Sequence, residues 1–524
     1  MTREVKWGLN WKEGMKCSSC KYVSPVHKLY KEISGDSVTG RKSSTCNVGL
    51  QIGLSKTPIG NNTLRSILLA ADIPAPSTSG LQKAANRVNA QLIKENKADM
   101  QQRRQTIIEV NTARGLPANS LSISGDGAFN NPLSSASGQT PWQPATQVTY
   151  VVTENVTKDK QVLSLATRNK LCSKHHRVKN ESCVLNAECS ATLKFSSPIG
   201  NEKELAKECV RELNSDNLAV TSLTTDADSA AYQAVKELHR EGELETCPES
   251  FLDTRHLSAS QRRLIRGYKF VSDMMCSRTK SRRDKLASKF SVDCAARCNA
   301  EFNSAFRNHT GNVTSMKKAL SQASDAIAHC YVNDHSKCGR KSFICKGGKS
   351  NWLNSTSSIL SNCRDFKIEH TESNIQNLKK CIDLRLGPRA VEKTYLNLNT
   401  QKTEAVNKSL KNSLPRNRTF SRNFPGRAHS AIHSVNLKSS AKSVALLRNR
   451  LGCPVTRGSL VARQLQQINN QTQLSKEQKQ TPKCKLSRIK KKVELFKLHD
   501  ESRNDEITYS KDMISPHRKP KNRN

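Results

Sequence analysis

Apolar and polar positions change period several times along the chain, and each change marks an element. From Thr63 to Ile73 the apolar residues fall at helical spacing, until Asp72-Ile-Pro-Ala-Pro-Ser-Thr-Ser-Gly80 breaks the run. A long polar helix is predicted next, from about Leu81 to Arg114. Helix, turn and helix together could read DNA, but this turn exceeds the ~3 to 4 residues of that motif, so plain packing is the expectation. Before Thr63 the sequence reads as irregular, with a Gly-rich middle.

Beyond Pro117 the period shortens to two. Leu121-Ser-Ile123-Ser alternates as a strand does and runs into Gly125-Asp126-Gly127, and Val148 to Val156 and Gln161 to Ala166 are further β-rich runs. A helix is predicted near Glu202 to Leu213, a strand at Leu218 to Thr225 ending at Asp226-Ala-Asp228, and a helix at Ser229 to Leu238. Three strands, helix, strand, helix is the order of an RNase H-like α/β core. Residues 257 to about 395 read as a mostly helical, basic, Cys-containing insertion, and the polar tail from about Ser475 is expected to fray. The implied division is 1–115 (Cys-containing and helical), 116–256 (first part of the core), 257–395 (insertion), 396–430 (final core helix and basic loop) and 431–524 (basic C-terminal region).

Charge narrows the partner. The chain has 86 Lys and Arg against 45 Asp and Glu, a net charge of +41 over 524 residues, which favours a polyanionic partner. From Ala405 to Lys476 there is no carboxylate at all, while thirteen Lys and Arg residues fall in the same stretch. A surface kept free of anions suits a phosphate backbone, where each neutralised phosphate releases counterions. Aromatic residues are only 5%, which argues for duplex DNA over stacking on single-stranded bases. A membrane is not expected, because no window approaches the ~18 apolar residues of a span, and the N-terminus has no apolar core of a secretory signal. No phosphate-binding Gly-x4-Gly-Lys loop is present.

The acidic residues supply the candidate chemistry. Two-metal phosphodiester cleavage needs hard oxygen ligands gathered from separate elements, and strand ends can present them. Asp126 ends the first predicted strand and Asp226 the fourth, with Asp228 as a competitor two residues on. Glu404 lies in Asn-Thr-Gln-Lys-Thr-Glu-Ala-Val-Asn-Lys, which starts like a capped helix, where a salt bridge to Lys408 is the ordinary alternative. Singly each acid is an ordinary turn or cap residue.

Together, Asp126 in Ser-Gly-Asp-Gly-Ala-Phe-Asn-Asn, Asp226 in Thr-Thr-Asp-Ala-Asp, Asp253-Thr-Arg-His256 and Glu404 resemble the Mutator-like DDE transposases. In that family a second Asp precedes a Cys/Asp-x-x-His signature, a helical insertion and a Glu on the final core helix. The resemblance runs from about Arg41 through Lys497. It implies that Asp126, Asp226 and Glu404 bind Mg2+ or Mn2+, matches Asp253 and His256 to the signature without fixing their role, and implies strand transfer as well as cleavage. It also implies double-stranded DNA (transposon ends and target) as partner, a homo-oligomer on DNA and a nuclear location, for which Arg488 to Lys492 is a candidate import signal. Many relatives carry a Trp and a basic residue soon after Asp-Gly, and this chain does not. The alternatives are a domesticated relative that binds DNA without cutting it, and a zinc-dependent RNA-binding or scaffold protein with no use for the acidic spacing.

Eighteen cysteines in a chain without a secretory signal read as thiols and metal ligands. Cys330-x4-His335-x2-Cys338-x6-Cys345 offers four zinc ligands, against buried thiols or redox use. Cys172-x2-His175 with Cys183-x5-Cys189 is a second such set, and Cys17-x2-Cys20 is half a site that His27 or Cys46 could complete. Cys294-x3-Cys298 reads as a packed helix face. For DNA contact the candidates are Arg262, Arg263, Arg266, Lys408, Lys411, Arg416, Arg418, Arg422 and Arg427, with His429 and His433 reaching phosphate or packing.

Overall fold

The computed structural model describes residues 3–33, 43–130, 145–172, 190–194, 197–200, 202–226, 230–267, 280–361, 363 and 366–504. At its centre is a five-stranded sheet. Strands β4 (Ser120–Phe129), β5 (Gln147–Glu154) and β6 (Val162–Asn169) form an antiparallel meander, and β7 (Ala219–Thr225) then pairs parallel to β4 rather than to its neighbour in sequence. The spatial order is β6-β5-β4-β7-β8, where β8 is Glu249–Leu252, parallel to β7. Within this sheet the sequence pattern anticipates every strand except β8, whose four residues are too short to show a period.

Alternation along the strands feeds two helical layers. Leu121, Ile123, Tyr150 and Val152 pack with α4 (Glu202–Ser215) and α5 (Ala230–Arg240), while Val151 and Leu165 pack with α12 (Gln401–Leu410) and α13 (Phe424–Asn436). The predicted long helix is α3 (Thr78–Ala113), buried along one face from Leu81 through Asn111. Arg104 on it ties three elements, donating to Leu163 O at 2.6 Å and pairing with Asp216 at 2.6 Å and Glu212 at 3.3 Å. Packing is also what joins it to α2 (Asn61–Ala70): Leu64 of α2 packs on Leu81 and Leu54.

Two expectations fail at the ends of the chain. The N-terminal segment is not irregular: β1 (Arg3–Trp7), β2 (Asn10–Gly14) and β3 (His27–Lys28) form a small antiparallel sheet, followed by α1 (Thr45–Leu54). Polar strands that bury little carry a weak hydrophobic signal. After α14 (Ser440–Arg450) the tail is helical through α15 (Leu460–Gln480) and α16 (Pro482–Asn504), where residues of good helical propensity suffice although α15 buries no side chain.

Between β8 and α12 lies the helical insertion: α6 (Thr254–Gly267), α7 (Lys280–Asn308), α8 (Val313–Tyr331), α9 (Cys338–Lys341), α10 (Glu372–Leu386) and α11 (Pro388–Glu392). It has its own core around Phe290, Phe302, Met316, Tyr331, Trp352 and Ile382. Cys294 and Cys298 are fully buried in that core, as a packed helix face requires. Among the described residues no helix is long and apolar enough to cross a membrane.

Candidate catalytic site

β4 and β7 run parallel with Ser124 opposite Thr224, so Asp126 near the end of one lies beside Asp226, the residue just after the other. Thr225 stands opposite Leu252 of β8, which brings Asp253 and the first turn of α6 to the same end of the sheet. The glycines around Asp126 make room for close neighbours. A β-carbon on Gly125 would stand 2.3 Å from the Tyr150 hydroxyl, and one on Gly127 would stand 2.6 Å from Oε1 of Glu202.

The fourth segment is α12, which touches Asp126 directly and reaches Asp226 through His256. Asn407 donates to Asp126 Oδ2 at 2.8 Å. Glu404 Oε1 lies 3.0 Å from His256 Nε2, and the other ring nitrogen, Nδ1, lies 3.3 Å from Asp226 Oδ2. One imidazole therefore spans two carboxylates that are far apart in sequence. Among the described residues no ion pair joins Glu404 to Lys408; its acid oxygens face His256 and Gln401.

Asp253 has a different task. It is fully buried, and each oxygen already accepts two hydrogen bonds: Oδ1 from the amides of Arg255 (2.6 Å) and His256 (3.2 Å), Oδ2 from Thr400 N (2.7 Å) and Thr400 Oγ1 (2.6 Å). It caps α6 and clasps the start of α12, so the helices bearing His256 and Glu404 meet on one carboxylate. Although Asp253, His256 and Glu404 lie within reach of one common ion, an acid saturated by four donors has little left to offer a cation.

The electrostatics follow from crowding. Burial raises the Asp126 carboxyl to about 6, against the Asn407 hydrogen bond that lowers it, and the charges of Asp226 and Glu404 add to the rise. Glu202 is raised too, by burial and then by Asp126 and Asp226. Burial would lower the His256 imidazole, but the hydrogen bond to Glu404 and the charges of Asp226 and Asp253 outweigh it and hold it above its ordinary value. Burial would raise Asp253, and the Thr400 and amide hydrogen bonds reverse that. Such a pocket of mutually repelling acids, half exposed at Asp226 and Glu404, has the donor set of a hard divalent cation.

A family profile described as Mutator-like transposase matches residues 1–345. The chain belongs to the Mutator-like transposase family. Asp126, Asp226, Asp253 and His256 fall inside the matched span; Glu404 lies beyond it, and the fold carries it to the other four. No curated protein matches this transposase. Among solved structures, the Drosophila P element transposase strand transfer complex is similar at 12% identity and a TM-score of 0.29, covering 76% of this chain and 92% of that one. A likeness so distant carries no argument about chemistry.

The basic candidates divide by exposure. Lys408, Arg416, Arg418 and Arg422 are exposed along and after α12, Arg263 and Arg266 are exposed on α6, and Arg262 and Lys411 are half-buried. Lys411 is lowered by burial and then by Arg416, with Asp126 close enough to oppose this. Arg427 is turned into the core. It is 3% exposed, its guanidinium donates to Thr57 O at 2.6 Å and Ile59 O at 2.7 Å, and it stacks over Phe420. Its neighbours on α13 are core residues as well: His429 bonds Asn96 at 2.9 Å and His433 bonds Ser443 at 2.7 Å, and burial lowers them to about 3 and about 4. A basic run in sequence does not reveal that the helix beneath it points inward.

Among the described residues, the Cys330 set converges. Cys330 and Cys345 sulfurs stand 3.9 Å apart, and His335 Nδ1 is 3.6 Å from both Cys338 and Cys345. The four donors form a metal-sized group, and the Trp352 amide donates to Cys345 at 3.4 Å. Hydrogen bonds from Cys330 and Cys338, and then from backbone amides, hold the Cys345 thiol well below its ordinary range. Arg297 and Glu301, both fully buried, brace the returning loop through Ser342 and the Phe343 amide. In the second set Cys172 is buried, while His175, Cys183 and Cys189 lie outside the described residues, as does Asp228. Cys17 is half-buried and Cys20 exposed, and among the described residues neither His27 nor Cys46 joins them in a metal-sized group.

Sequence reasoning missed Asn407 and Glu202. Asn407 lies one turn beyond Glu404, on a position a helical projection would have placed near it. For Glu202 the only signal was Gly-Asp-Gly, which announces close approach without saying by what.

Proposed function

We propose that this transposase cuts DNA strands at transposon ends and joins the freed 3′ hydroxyl to target DNA, with Asp126, Asp226 and Glu404 holding Mg2+ or Mn2+ in an RNase H-like core. The observation that carries the reading is α12, which reaches Asp126 through Asn407 and Asp226 through Glu404 and His256. Sheet order β6-β5-β4-β7-β8, with its antiparallel meander and two parallel strands, supports the core assignment. The five-part division of the chain belongs to the same reading.

Divalent ions in such a site activate the attacking oxygen and neutralise the departing one. The protein's own residues do the positioning. Asn407 orients the Asp126 carboxylate, the Asp253 clasp fixes α6 against α12, and His256 keeps Asp226 and Glu404 facing each other when their charges would drive them apart. In hydrolysis, water bonds to phosphorus as the bond to the 3′ oxygen breaks; in strand transfer the 3′ hydroxyl takes the place of water. Lys408, Arg416, Arg418 and Arg422 would receive the duplex backbone beside the acids, and Arg263 and Arg266 extend that surface. A homo-oligomer on DNA and a nuclear location, resting on Arg488 to Lys492, complete the proposal.

The Cys330, His335, Cys338 and Cys345 group fits a structural zinc. Zinc with bonds of about 2.3 Å to sulfur and about 2.0 Å to nitrogen sets S···S near 3.8 Å and N···S near 3.5 Å in a tetrahedron. The observed 3.9 and 3.6 Å agree. With all four positions filled by the protein, the site would pin the insertion and do no chemistry.

The deciding experiment is Glu404→Gln assayed on terminal-repeat DNA. Binding of duplex should persist, because a negative charge is removed, while Mg2+-dependent cleavage is lost. Cleavage at the unmodified rate would remove Glu404 from the centre, and no cleavage by the unmodified protein would favour a relative that binds without cutting.

A further inference from the structure

Two acids occupy the first turn of α4, Glu202 and Glu204. An acid at a helix start is ordinarily explained by the helix dipole, which accounts for the exposed Glu204. It does not account for the direction Glu202 takes. Its carboxylate is turned back over β4, so close to Gly127 that a β-carbon there would lie 2.6 Å from Oε1. Gly127 is the residue after Asp126, and the charges of Asp126 and Asp226 both bear on Glu202.

The cations nearest in sequence are engaged elsewhere. Lys203 pairs with Glu237 at 3.0 Å, and Lys207 with Glu237 at 3.0 Å and Glu241 at 3.3 Å, so that face of α4 binds α5. Glu202 alone of these charges looks toward the acids. Holding a further anion against two others costs energy unless something positive is meant to join them.

We propose that Glu202 is a fourth carboxylate of the divalent-metal centre, beside Asp126, Asp226 and Glu404. The inference rests on the metal-centre reading above. It completes that reading in charge, since four carboxylates balance two divalent cations where three leave an excess of positive charge. It also gives Gly127 a purpose: only a residue without a side chain lets the acid reach the strand end.

The test is a Mn2+ titration of the full-length protein followed by the electron paramagnetic resonance of free Mn2+, because hard Mn2+ reads oxygen ligands and not the thiolate group. Glu202→Gln keeps the shape and removes the charge. It should weaken Mn2+ binding by about tenfold or more, or remove one of two bound ions. Gly127→Ala, which leaves every ligand in place but pushes the carboxylate away, should act in the same direction. Circular dichroism and a metal-free melting point at or above that of the unmodified protein would show that Glu202→Gln is folded and relieved of repulsion. Asp226→Asn separates this inference from the reading it rests on. If Asp226→Asn loses Mn2+ and Glu202→Gln binds it as the unmodified protein does, Glu202 is no ligand and the three-acid centre stands. If Asp226→Asn also binds unchanged, the metal-centre reading fails and takes this inference with it.

Discussion

Replacing Asp253 by asparagine should loosen two helix starts at once. The carboxylate serves four donors, two on each oxygen. Asparagine keeps one acceptor oxygen and presents an NH2 group to the other two donors, which then have no partner in a fully buried place. An orphaned buried donor costs about 1 to 3 kcal/mol, so two cost about 2 to 6 kcal/mol. At about 1.4 kcal/mol per factor of ten, amide protection should fall by a factor between about thirty and about twenty thousand. Hydrogen exchange read by mass spectrometry is the assay, because the opening is local. Segments 253–258 and 398–404 report the two helix starts, and the amide group's orientation decides which loses more. Equal protection of both segments in Asp253→Asn and the unmodified protein would refute the clasp. The pH dependence has a fixed sign. Because the folded carboxyl is held below its ordinary value, its contribution is present above about pH 4, the unfolded value, and is lost as pH falls through the lower folded value.

Three further outcomes are expected. The Asp126 carboxyl, raised to about 6, must lose its proton before it can bind a cation, so Mn2+ affinity should climb between about pH 5 and about pH 6.5 and level off above; a flat profile would count against Asp126 as a ligand. Purified protein should hold one tightly bound zinc at the Cys330 group, and stripping it should expose the insertion around Trp352 to proteolysis; freely titratable thiols with no zinc on elemental analysis would end that assignment. Arg422→Glu should weaken duplex binding for all sequences and flatten its salt dependence by roughly one unit for each phosphate the protein no longer neutralises, whereas Arg427→Ala should lower the melting temperature because its bonds to Thr57 and Ile59 are gone; unchanged stability in Arg427→Ala would overturn its reassignment to the core.

Local pattern determined much of this protein. Alternation at Leu121 and Ile123 fixes one strand, because a period of two is imposed by the pleat, the β-rich run from Val148 fixes another, and the resemblance of the segments around Asp126, Asp226, Asp253, His256 and Glu404 to Mutator-like transposases points to the candidate site before any fold is known. Short β8 and the polar strands of the N-terminus stayed hidden because they bury too little to leave a period. Tertiary structure alone decided direction. It turned Arg427, His429 and His433 inward although they lie in a basic stretch, because α13 packs its whole length between α3 and the sheet. It made Asp253 a clasp rather than a ligand, since hydrogen-bond saturation depends on Thr400, 147 positions away. It brought Glu202 over Gly127 and Asn407 onto Asp126, meetings set by how α4 and α12 cross the end of the sheet. A one-dimensional pattern records which face is apolar; which polar groups meet depends on the packing of elements distant in the chain.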